Sequence, residues 1–470
     1  MKKTNFRLFM VIIGILLSIN TMAYDFVVDG ICYNIVSIQD LTCEIAKPSD
    51  EYKNNYSGNF RIPSSVKYNG KTLTVVSIGE GAFTNDDLIS VYIPNTVVSI
   101  GYHAFWCDNL QEITIPKSVK RISGQVIRCP VKVNITSLES WFEIEYPLSS
   151  SPSFLFQEGG DLCLNGKIIT DLVIPNTIKE IKGCAFTGCT SLTSVSFEKG
   201  TSIEEIGEDA FSSCKNIKRV EIPKSVIYLK GSAFAGIPAL EEVILEDGET
   251  NLLYDSDNYY HSNISPFADD KNIKTIHLGR KASSVQSDHY HRLFGEGTHY
   301  ETVYDYVDVE KLSIGDVFDN MIIYDGKNPP SGENQIRYYG IEAKNLKSLT
   351  LGKNIENVTV YNTDVENAIY LTTKTPPTLD GYSYFSNATY INSTLYVPQG
   401  SSYLYKSTEG WKDFWNIVEY NATAIDEIKT ENTIMEVGII SLDGRSVEKY
   451  QKGINIIKYS DGTSKKVFVK

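Results

Sequence analysis

The chain has 470 residues, of which 42% are hydrophobic and 22% charged, and its formal net charge is −14. An acidic balance of this size repels phosphate backbones, and no basic stripe offsets it, so nucleic acid is excluded as the expected partner. The length alone would suggest two or three globular domains, although a repeat fold grows without that limit.

Residues 1–23 have the organisation of a secretory signal peptide. Lys2, Lys3 and Arg7 precede an apolar run over residues 8–19, and Ala23 stands at the expected cleavage site. The run is shorter than the roughly 20 apolar residues that span a bilayer, which disfavours an uncleaved anchor. No other long apolar stretch follows, so the sequence predicts an exported chain without a membrane span after cleavage.

An Ala-Phe pair recurs along the chain and marks a repeat. Its copies are Ala82-Phe83, Ala104-Phe105, Ala185-Phe186, Ala210-Phe211 and Ala233-Phe234, and the closest copies are 22 to 25 residues apart. A fixed period of this length indicates a stack of similar units. Stacked repeats present long exposed surfaces, which favours binding over catalysis.

The unit that begins at Leu88 shows how one repeat is built. Val91 and Ile93 alternate with Tyr92, which is the pattern of a half-buried strand. Pro94 ends the strand because it cannot donate to the ladder. The Ala-Phe pair then closes the unit, and we expect it to be buried, with Val126-Ile127 in the same position of the next unit.

Two copies carry a longer phrase, IPNTVVSIGYHAFWCDNL (93–110) and IPNTIKEIKGCAFTGCTSL (174–192). This phrase resembles the BspA-like leucine-rich-repeat family of bacterial surface proteins, of the Bacteroidetes type. The resemblance implies a repeat solenoid that is β-rich, with short strands on one face and few helices. It also implies export to the cell surface, and it implies no catalytic residues.

Composition and periodicity divide the chain into six segments. They are the signal peptide (1–23), an N-terminal β cap (24–60), the repeat solenoid (61–245, irregular at 131–170), degenerate repeats with a Tyr/Asp-rich insertion (246–335), terminal repeats and a cap (336–421), and a C-terminal β module (422–470). Asn69-Gly70 and Asn165-Gly166 are predicted hairpin turns. Trp411, Phe414 and Trp415 are expected to close the end of the core, with a sugar platform as the alternative.

Residues 436–470 differ from the repeats. Short apolar runs alternate there with Asp443-Gly444, Gly453 and Asp461-Gly462, which predicts a small β module. The tail resembles the C-terminal sorting module of type IX secreted proteins, and that resemblance implies delivery to the outer surface. A purely structural β module is the alternative.

Several of the eight cysteines are predicted to be packing residues. Cys107, Cys129, Cys189 and Cys214 follow the Ala-Phe position, where a free thiol behaves as a small hydrophobe. Export nevertheless permits disulfides. Two disulfides therefore remain alternatives: one between Cys189 and Cys214 on adjacent repeats, and one between Cys32 and Cys43 across a hairpin.

The sequence predicts no cofactor, no metal site and no enzyme. It contains none of the common nucleophile, zinc-protease or nucleotide-binding motifs. Residues 255–263 hint at a calcium loop but lack a third acidic ligand and the required Gly. His289, His291 and His299 lie close in sequence, and an accidental polar cluster explains them better than a metal site.

The candidate binding residues are the outward positions of successive strands, which change from repeat to repeat. They are Tyr92, Thr114, Ser196, Arg219, Glu221, Glu242 and His277. Because their chemistry is mixed, they fit a protein epitope, or no ligand at all, better than a regular glycan. The family resemblance implies a secreted or surface protein that adheres to host or microbial proteins, and this is the function that we predict. The alternatives are a structural spacer and a carbohydrate-capturing protein that uses the Tyr-rich insertion and the Trp411 region.

Overall fold

The structure, a computed structural model, describes residues 24–48, 56–84, 87–146, 159–254, 265–270, 272–284, 293–294, 305–307, 309–318, 320–324, 339–343, 346–379, 384–421, 436–441, 446–447, 452–459 and 464–469. The chain divides into two compact units, residues 1–217 with 230–237, and residues 218–229 with 238–470. The predicted signal peptide, calcium loop and histidine cluster lie outside the described residues.

In its described residues, the first unit contains short strands and one helix, α1 (Leu138–Phe142), whose N-terminus is capped by the Ser137 hydroxyl. The strands are β1 (Phe26–Val28), β2 (Ile31–Ser37), β3 (Thr42–Ile45), β4 (Ser57–Arg61), β5 (Ser65–Tyr68), β6 (Lys71–Ile78), β7 (Asp87–Tyr92), β8 (Ser99–Ile100), β9 (Glu112–Ile115), β10 (Arg121–Ile122), β11 (Val131–Ile135), β12 (Gly160–Leu164), β13 (Lys167–Ile168), β14 (Asp171–Ile174), β15 (Glu180–Ile181), β16 (Ser194–Phe197) and β17 (Glu205–Ile206).

Equivalent strands of successive repeats pair side by side. One sheet has the order β13-β12-β11-β9-β7-β4, and its repeat strands are parallel. Strand β11 pairs with both β9 and β12, so stacking continues through residues 131–135 although the sequence period breaks there. Both predicted hairpins are confirmed: β5 pairs with β6 and β12 with β13 in antiparallel fashion, and each Asn-Gly turn has two positive φ angles.

The Ala-Phe pairs form the centre of the first unit, as predicted. All five phenylalanines of the pairs are 0% exposed. The rings of Phe186 and Phe211 stack at 5.1 Å with an interplanar angle of 2°, and those of Phe211 and Phe234 stack at 5.1 Å and 7°. Val126-Ile127 takes the same buried position, next to Phe105. The repeated pair therefore builds an aromatic column of Phe186, Phe211 and Phe234, and Phe83 stacks separately on Phe105.

The turn around each Ala-Phe pair requires left-handed backbone. The residue before the pair has a positive φ angle in every repeat of the first unit: Gly81, His103, Gln125, Cys184, Asp209 and Ser232. A second such position follows the pair, at Gly188, Ser213 and Gly236. Side chains with a Cβ atom are strained in this region, and glycine is not.

Replacing Ser213 with glycine is expected to raise the free energy of unfolding by about 1 kcal/mol, because Ser213 holds φ at +59° where neighbouring repeats use glycine. The change is measured by chemical denaturation. Ser196→Gly is the control, because Ser196 lies within strand β16, where glycine weakens pairing. A Ser213→Gly protein that is less stable than the parent would contradict the strain argument.

The eight cysteines all lie in the described part of the chain, and no disulfide joins any two of them. Cys107, Cys189 and Cys214 are 0% exposed, which confirms their predicted packing role, whereas Cys129 is only half buried. Cys43 lies opposite Ile35 in the β2–β3 ladder rather than opposite Cys32. Burial raises the pKa of the Cys214 thiol well above its usual value, so this thiol stays protonated.

The second unit is also built from short strands, with helices α2 (Asn387–Asn392) and α3 (Ser402–Tyr405). The strands are β18 (Arg219–Ile222), β19 (Tyr228–Leu229), β20 (Glu242–Leu245), β21 (Leu252–Tyr254), β22 (Thr275–Leu278), β23 (Ala282–Ser284), β24 (Asp305–Val307), β25 (Lys311–Ile314), β26 (Asn320–Tyr324), β27 (Tyr339–Ala343), β28 (Leu346–Leu351), β29 (Asn357–Thr363), β30 (Val365–Leu371), β31 (Thr378–Leu379), β32 (Tyr384–Phe385), β33 (Thr394–Pro398), β34 (Asn416–Tyr420), β35 (Glu436–Ser441), β36 (Ser446–Val447), β37 (Gly453–Tyr459) and β38 (Ser464–Val469).

Eight of these strands form one parallel sheet with the order β18-β20-β22-β25-β28-β30-β33-β34. Strand β25 continues the sheet through a region whose sequence period is degenerate. A second parallel sheet has the order β24-β27-β26-β29-β31, and β32 pairs with β29. Strands β35 to β38 form a four-stranded antiparallel sheet, in agreement with the predicted small β module.

The predicted aromatic cap near residue 411 is partly wrong. Trp411 and Phe414 are 0% and 4% exposed and stack at 6.1 Å, so they belong to the core as expected. Trp415, however, is 76% exposed. Its side chain is directed away from this core, which sequence proximity to Trp411 did not reveal.

Candidate binding surfaces

In the first unit, the predicted outward residues lie in register on two separate sheets. Tyr92 on β7 pairs with Thr114 on β9, and Ser196 on β16 pairs with Val173 on β14. The Arg61 guanidinium lies 3.9 Å from the centre of the exposed Tyr92 ring, which is a cation–π contact. Tyr92 and Thr114 therefore share one face, as predicted.

In the second unit, three predicted residues form one exposed ionic group. Arg219 contacts Glu221 at 2.9 Å through one guanidinium nitrogen and Glu242 at 2.8 Å through another. The three side chains are about two-fifths exposed, so solvent screens their attraction. This group links β18 to β20 and presents both charges to the solvent.

The prediction of an accessible His277 is wrong. Its register with Ile244 and Ser313 is as expected, but the residue is only 7% exposed. The Nε2 atom lies 3.2 Å from Asp247 Oδ1, and Nδ1 lies 3.1 Å from Ser313 Oγ. Asp247 can approach because Gly315 has no side chain, and a Cβ atom there would lie 2.6 Å from Asp247 Oδ1. His277 therefore joins neighbouring repeats.

The Asp247–His277–Ser313 chain of contacts does not have the arrangement of a hydrolase. Ser313 lies inside strand β25, which pairs on both sides with β22 and β28. Its backbone groups are therefore hydrogen-bonded within the sheet and offer no oxyanion site. The contact order is also reversed from the usual triad, because the serine meets Nδ1 and the carboxylate meets Nε2.

A second surface of the first unit carries an aromatic cluster, which we define as Tyr102, His103, Trp106, Gln125 and Arg128. The ring centres of Tyr102 and His103 are 3.8 Å apart, and those of His103 and Trp106 are 4.1 Å apart. Gln125 Oε1 lies 3.1 Å from both Tyr102 Oη and His103 Nε2. These contacts fix the three rings relative to one another.

Arg128 completes this cluster at its edge. Its guanidinium lies 5.7 Å from the centre of the Trp106 ring, and its Nε atom lies 2.8 Å from Asp108 Oδ1. The cluster residues are partly exposed rather than buried. Rigid, half-exposed Tyr, Trp and Arg side chains are the residue types that dominate binding energy at protein interfaces.

The sequence contains a signal for the aromatic cluster that the strand-based prediction missed. In the other Ala-Phe repeats, the position of Trp106, directly after the pair, holds Thr84, Thr187, Ser212 or Ala235, and Arg128 holds it after Val126-Ile127. The position of Tyr102 holds a glycine or a glutamate in those units. The large residues Trp106 and Arg128 at an otherwise small position could have been found by aligning the turns as well as the strands.

Residues 53–146 and 160–288 match the family model described as BspA type Leucine rich repeat region, in six copies. This match and the parallel strand stacking confirm the predicted β-rich leucine-rich-repeat fold. No curated protein matches the sequence. Among the residues that the structure describes, no helix is long and apolar enough to cross a membrane.

Three solved structures are similar to this chain. A leucine-rich repeat protein from Bacteroides ovatus ATCC 8483 has 18% identity and a TM-score of 0.37, over 85% of this chain and 100% of that chain. A leucine rich cell surface protein from Faecalibacterium prausnitzii A2-165 has 16% identity and a TM-score of 0.34, over 87% and 98%. The pneumococcal vaccine antigen PcpA has 16% identity and a TM-score of 0.31, over 85% and 99%.

Proposed function

We propose that this chain is a secreted, cell-surface leucine-rich-repeat protein that binds extracellular proteins of a host or of other microbes and so mediates adhesion. The signal-peptide pattern of residues 1–23 and the sorting-like tail of residues 436–470 support export to the outer surface. The repeat fold supports binding rather than catalysis, because it displays variable side chains on a regular frame.

The aromatic cluster is the observation that carries this proposal. Its rings are held by each other and by Gln125, so a partner would not have to order them on binding. Arg128 and Asp108 provide a polar rim beside Trp106. An apolar aromatic centre with such a rim is the usual anatomy of a protein interface. The strand-face residues Tyr92 and Thr114 form a second candidate surface.

Replacing both Trp106 and Arg128 with alanine is expected to weaken adhesion at least tenfold, because hot-spot residues are each worth about 2 kcal/mol or more. The experiment uses intact cells that carry the full chain, placed on immobilised extracellular-matrix and serum proteins and on other bacterial cells. An antibody applied without permeabilisation measures how much chain is on the surface. Trp415→Ala is the matched control, because it removes another exposed tryptophan.

Three outcomes would contradict parts of this proposal. Failure of the antibody to label intact cells would exclude the surface location. Equal adhesion of cells with and without the chain would favour a structural spacer. Adhesion that survives the Trp106/Arg128 change but is lost with Tyr92→Ala and Thr114→Ala would move the binding site to the strand face.

A further inference from the structure

The second unit contains a polar cavity of about 980 Å³ that is open to solvent, and Glu249, Lys281 and Lys353 in its lining are exposed residues. The charged and amide side chains that line it are Glu249, Lys281, Asp316, Lys353, Asn354 and Glu356. Sites for small ligands usually measure about 300–1,000 Å³. The volume is therefore large enough for a ligand of more than one ring.

One wall of the cavity is a proline-containing segment whose backbone carbonyl groups accept hydrogen bonds from buried side chains. Thr375, Pro376 and Pro377 line the cavity. The indole Nε1 of the fully buried Trp411 donates to Pro377 O at 2.7 Å, and the Tyr405 hydroxyl donates to Thr373 O at 2.8 Å. Because these anchors belong to the core, the wall is formed before any ligand arrives.

Another part of the cavity lining is fixed by Asp316. Its Oδ1 atom accepts from the backbone N–H of Lys353 at 2.9 Å, and its Oδ2 atom lies 2.9 Å from Lys353 Nζ. The Asn354 amide donates to Asp316 O at 2.7 Å. These bonds join two successive turns, so they fix the spacing of the side chains. A preformed site of this kind binds without a large ordering cost.

The lining determines which chemical class of ligand fits. The Glu249 and Glu356 carboxylates accept hydrogen bonds, the Lys281 and Lys353 ammonium groups donate them, and the Thr375 and Thr378 hydroxyls do both. Acidic and basic groups are mixed, so neither a strongly anionic nor a strongly cationic ligand is favoured.

We propose that this cavity binds a short, neutral oligosaccharide. Such a ligand carries donors and acceptors at high density, which matches a lining of both kinds. Its C–H faces can lie against the ring of Pro376, which is partly exposed. This site is distinct from the Tyr-rich insertion that the sequence suggests for sugars, and it goes beyond the proposed protein binding.

The test measures binding of the purified chain, residues 24–470, to an array of neutral plant, microbial and mucin-type oligosaccharides. The soluble trisaccharide of the strongest signal is then titrated by calorimetry. Glu249→Gln with Glu356→Gln is expected to weaken binding at least tenfold, because each amide is a poorer acceptor than a carboxylate. Thr375→Trp is expected to block the cavity and abolish binding.

Glu204→Gln with Glu366→Gln is the matched control, because it removes the same charge from exposed positions outside the cavity lining. Unchanged affinity in this control supports binding at the cavity. A loss of affinity equal to that of the cavity variant would show that binding depends on the overall negative charge of the chain. A silent array with the parent chain would overturn the proposal, as would full affinity in both cavity variants. Adhesion to protein partners is expected to survive the cavity changes, so the two proposals fail separately.

Discussion

Replacing Phe211 with alanine is expected to lower the free energy of unfolding by about 3–5 kcal/mol, the range for large aromatic truncations in a core. Phe211 is 0% exposed and lies between the rings of Phe186 and Phe234, at 5.1 Å from each. Its removal leaves a cavity and also removes two stacking contacts, each worth about 0.5–1.5 kcal/mol beyond area burial.

The loss of stability in the Phe211→Ala protein is expected to be large and to be concentrated in the neighbouring repeats. In a repeat protein, each unit is stabilised mainly by its neighbours. Hydrogen exchange in the Phe211→Ala protein should therefore accelerate most in peptides that contain Phe186 and Phe234. Urea denaturation gives the total loss.

Phe211→Leu serves as the control for this prediction, because it keeps much of the buried volume and is expected to cost less than the alanine variant. A loss below about 1 kcal/mol for Phe211→Ala would contradict the role of the aromatic column. Acceleration of exchange spread evenly over the whole chain would contradict nearest-neighbour stabilisation.

Replacing Arg280 with methionine is expected to cost about 3 kcal/mol or more. Arg280 is 0% exposed, and its guanidinium donates to the carbonyl oxygens of Pro223, Lys224 and Val226. Burial lowers its pKa to about 10, an effect that nearby Glu246 opposes, so the group stays charged at neutral pH. Methionine fills similar space but leaves buried carbonyl groups with fewer donors.

The geometry of the guanidinium makes a second variant informative. Arg280→Lys keeps the charge, but a single ammonium cannot reproduce a planar fork that reaches three carbonyls. We expect its stability, measured by urea denaturation, to lie between those of the parent and the methionine variant. A fully stable Arg280→Lys protein would show that charge alone is sufficient.

Arg219→Met is the matched control for Arg280→Met. Its side chain is 44% exposed, and its ion pairs with Glu221 and Glu242 are screened by solvent. Exposed pairs contribute about 0–1 kcal/mol, so this control is expected to cost little. Equal losses for the two arginines would contradict the importance of burial.

The sequence was sufficient to predict the repeated positions of the fold. The alternation around Tyr92, the Ala-Phe pairs and the two Asn-Gly turns are visible as local patterns within a single repeat, and the structure has them as expected. Arg280 could not be predicted in the same way. Its partners lie 54 to 57 residues earlier in the chain, and no local pattern indicates that contact.

The candidate surfaces also separate what the sequence predicts from what only the tertiary structure shows. The sequence by itself determined which residues recur, and so which ones form strands and fill the core, because period-2 alternation and turn chemistry are local properties. Only the tertiary structure decided that His277 is covered and that Tyr102, His103 and Trp106 form one cluster with Arg128. Those outcomes depend on how neighbouring repeats are aligned, which brings together side chains more than 20 residues apart and sets what remains accessible to a partner.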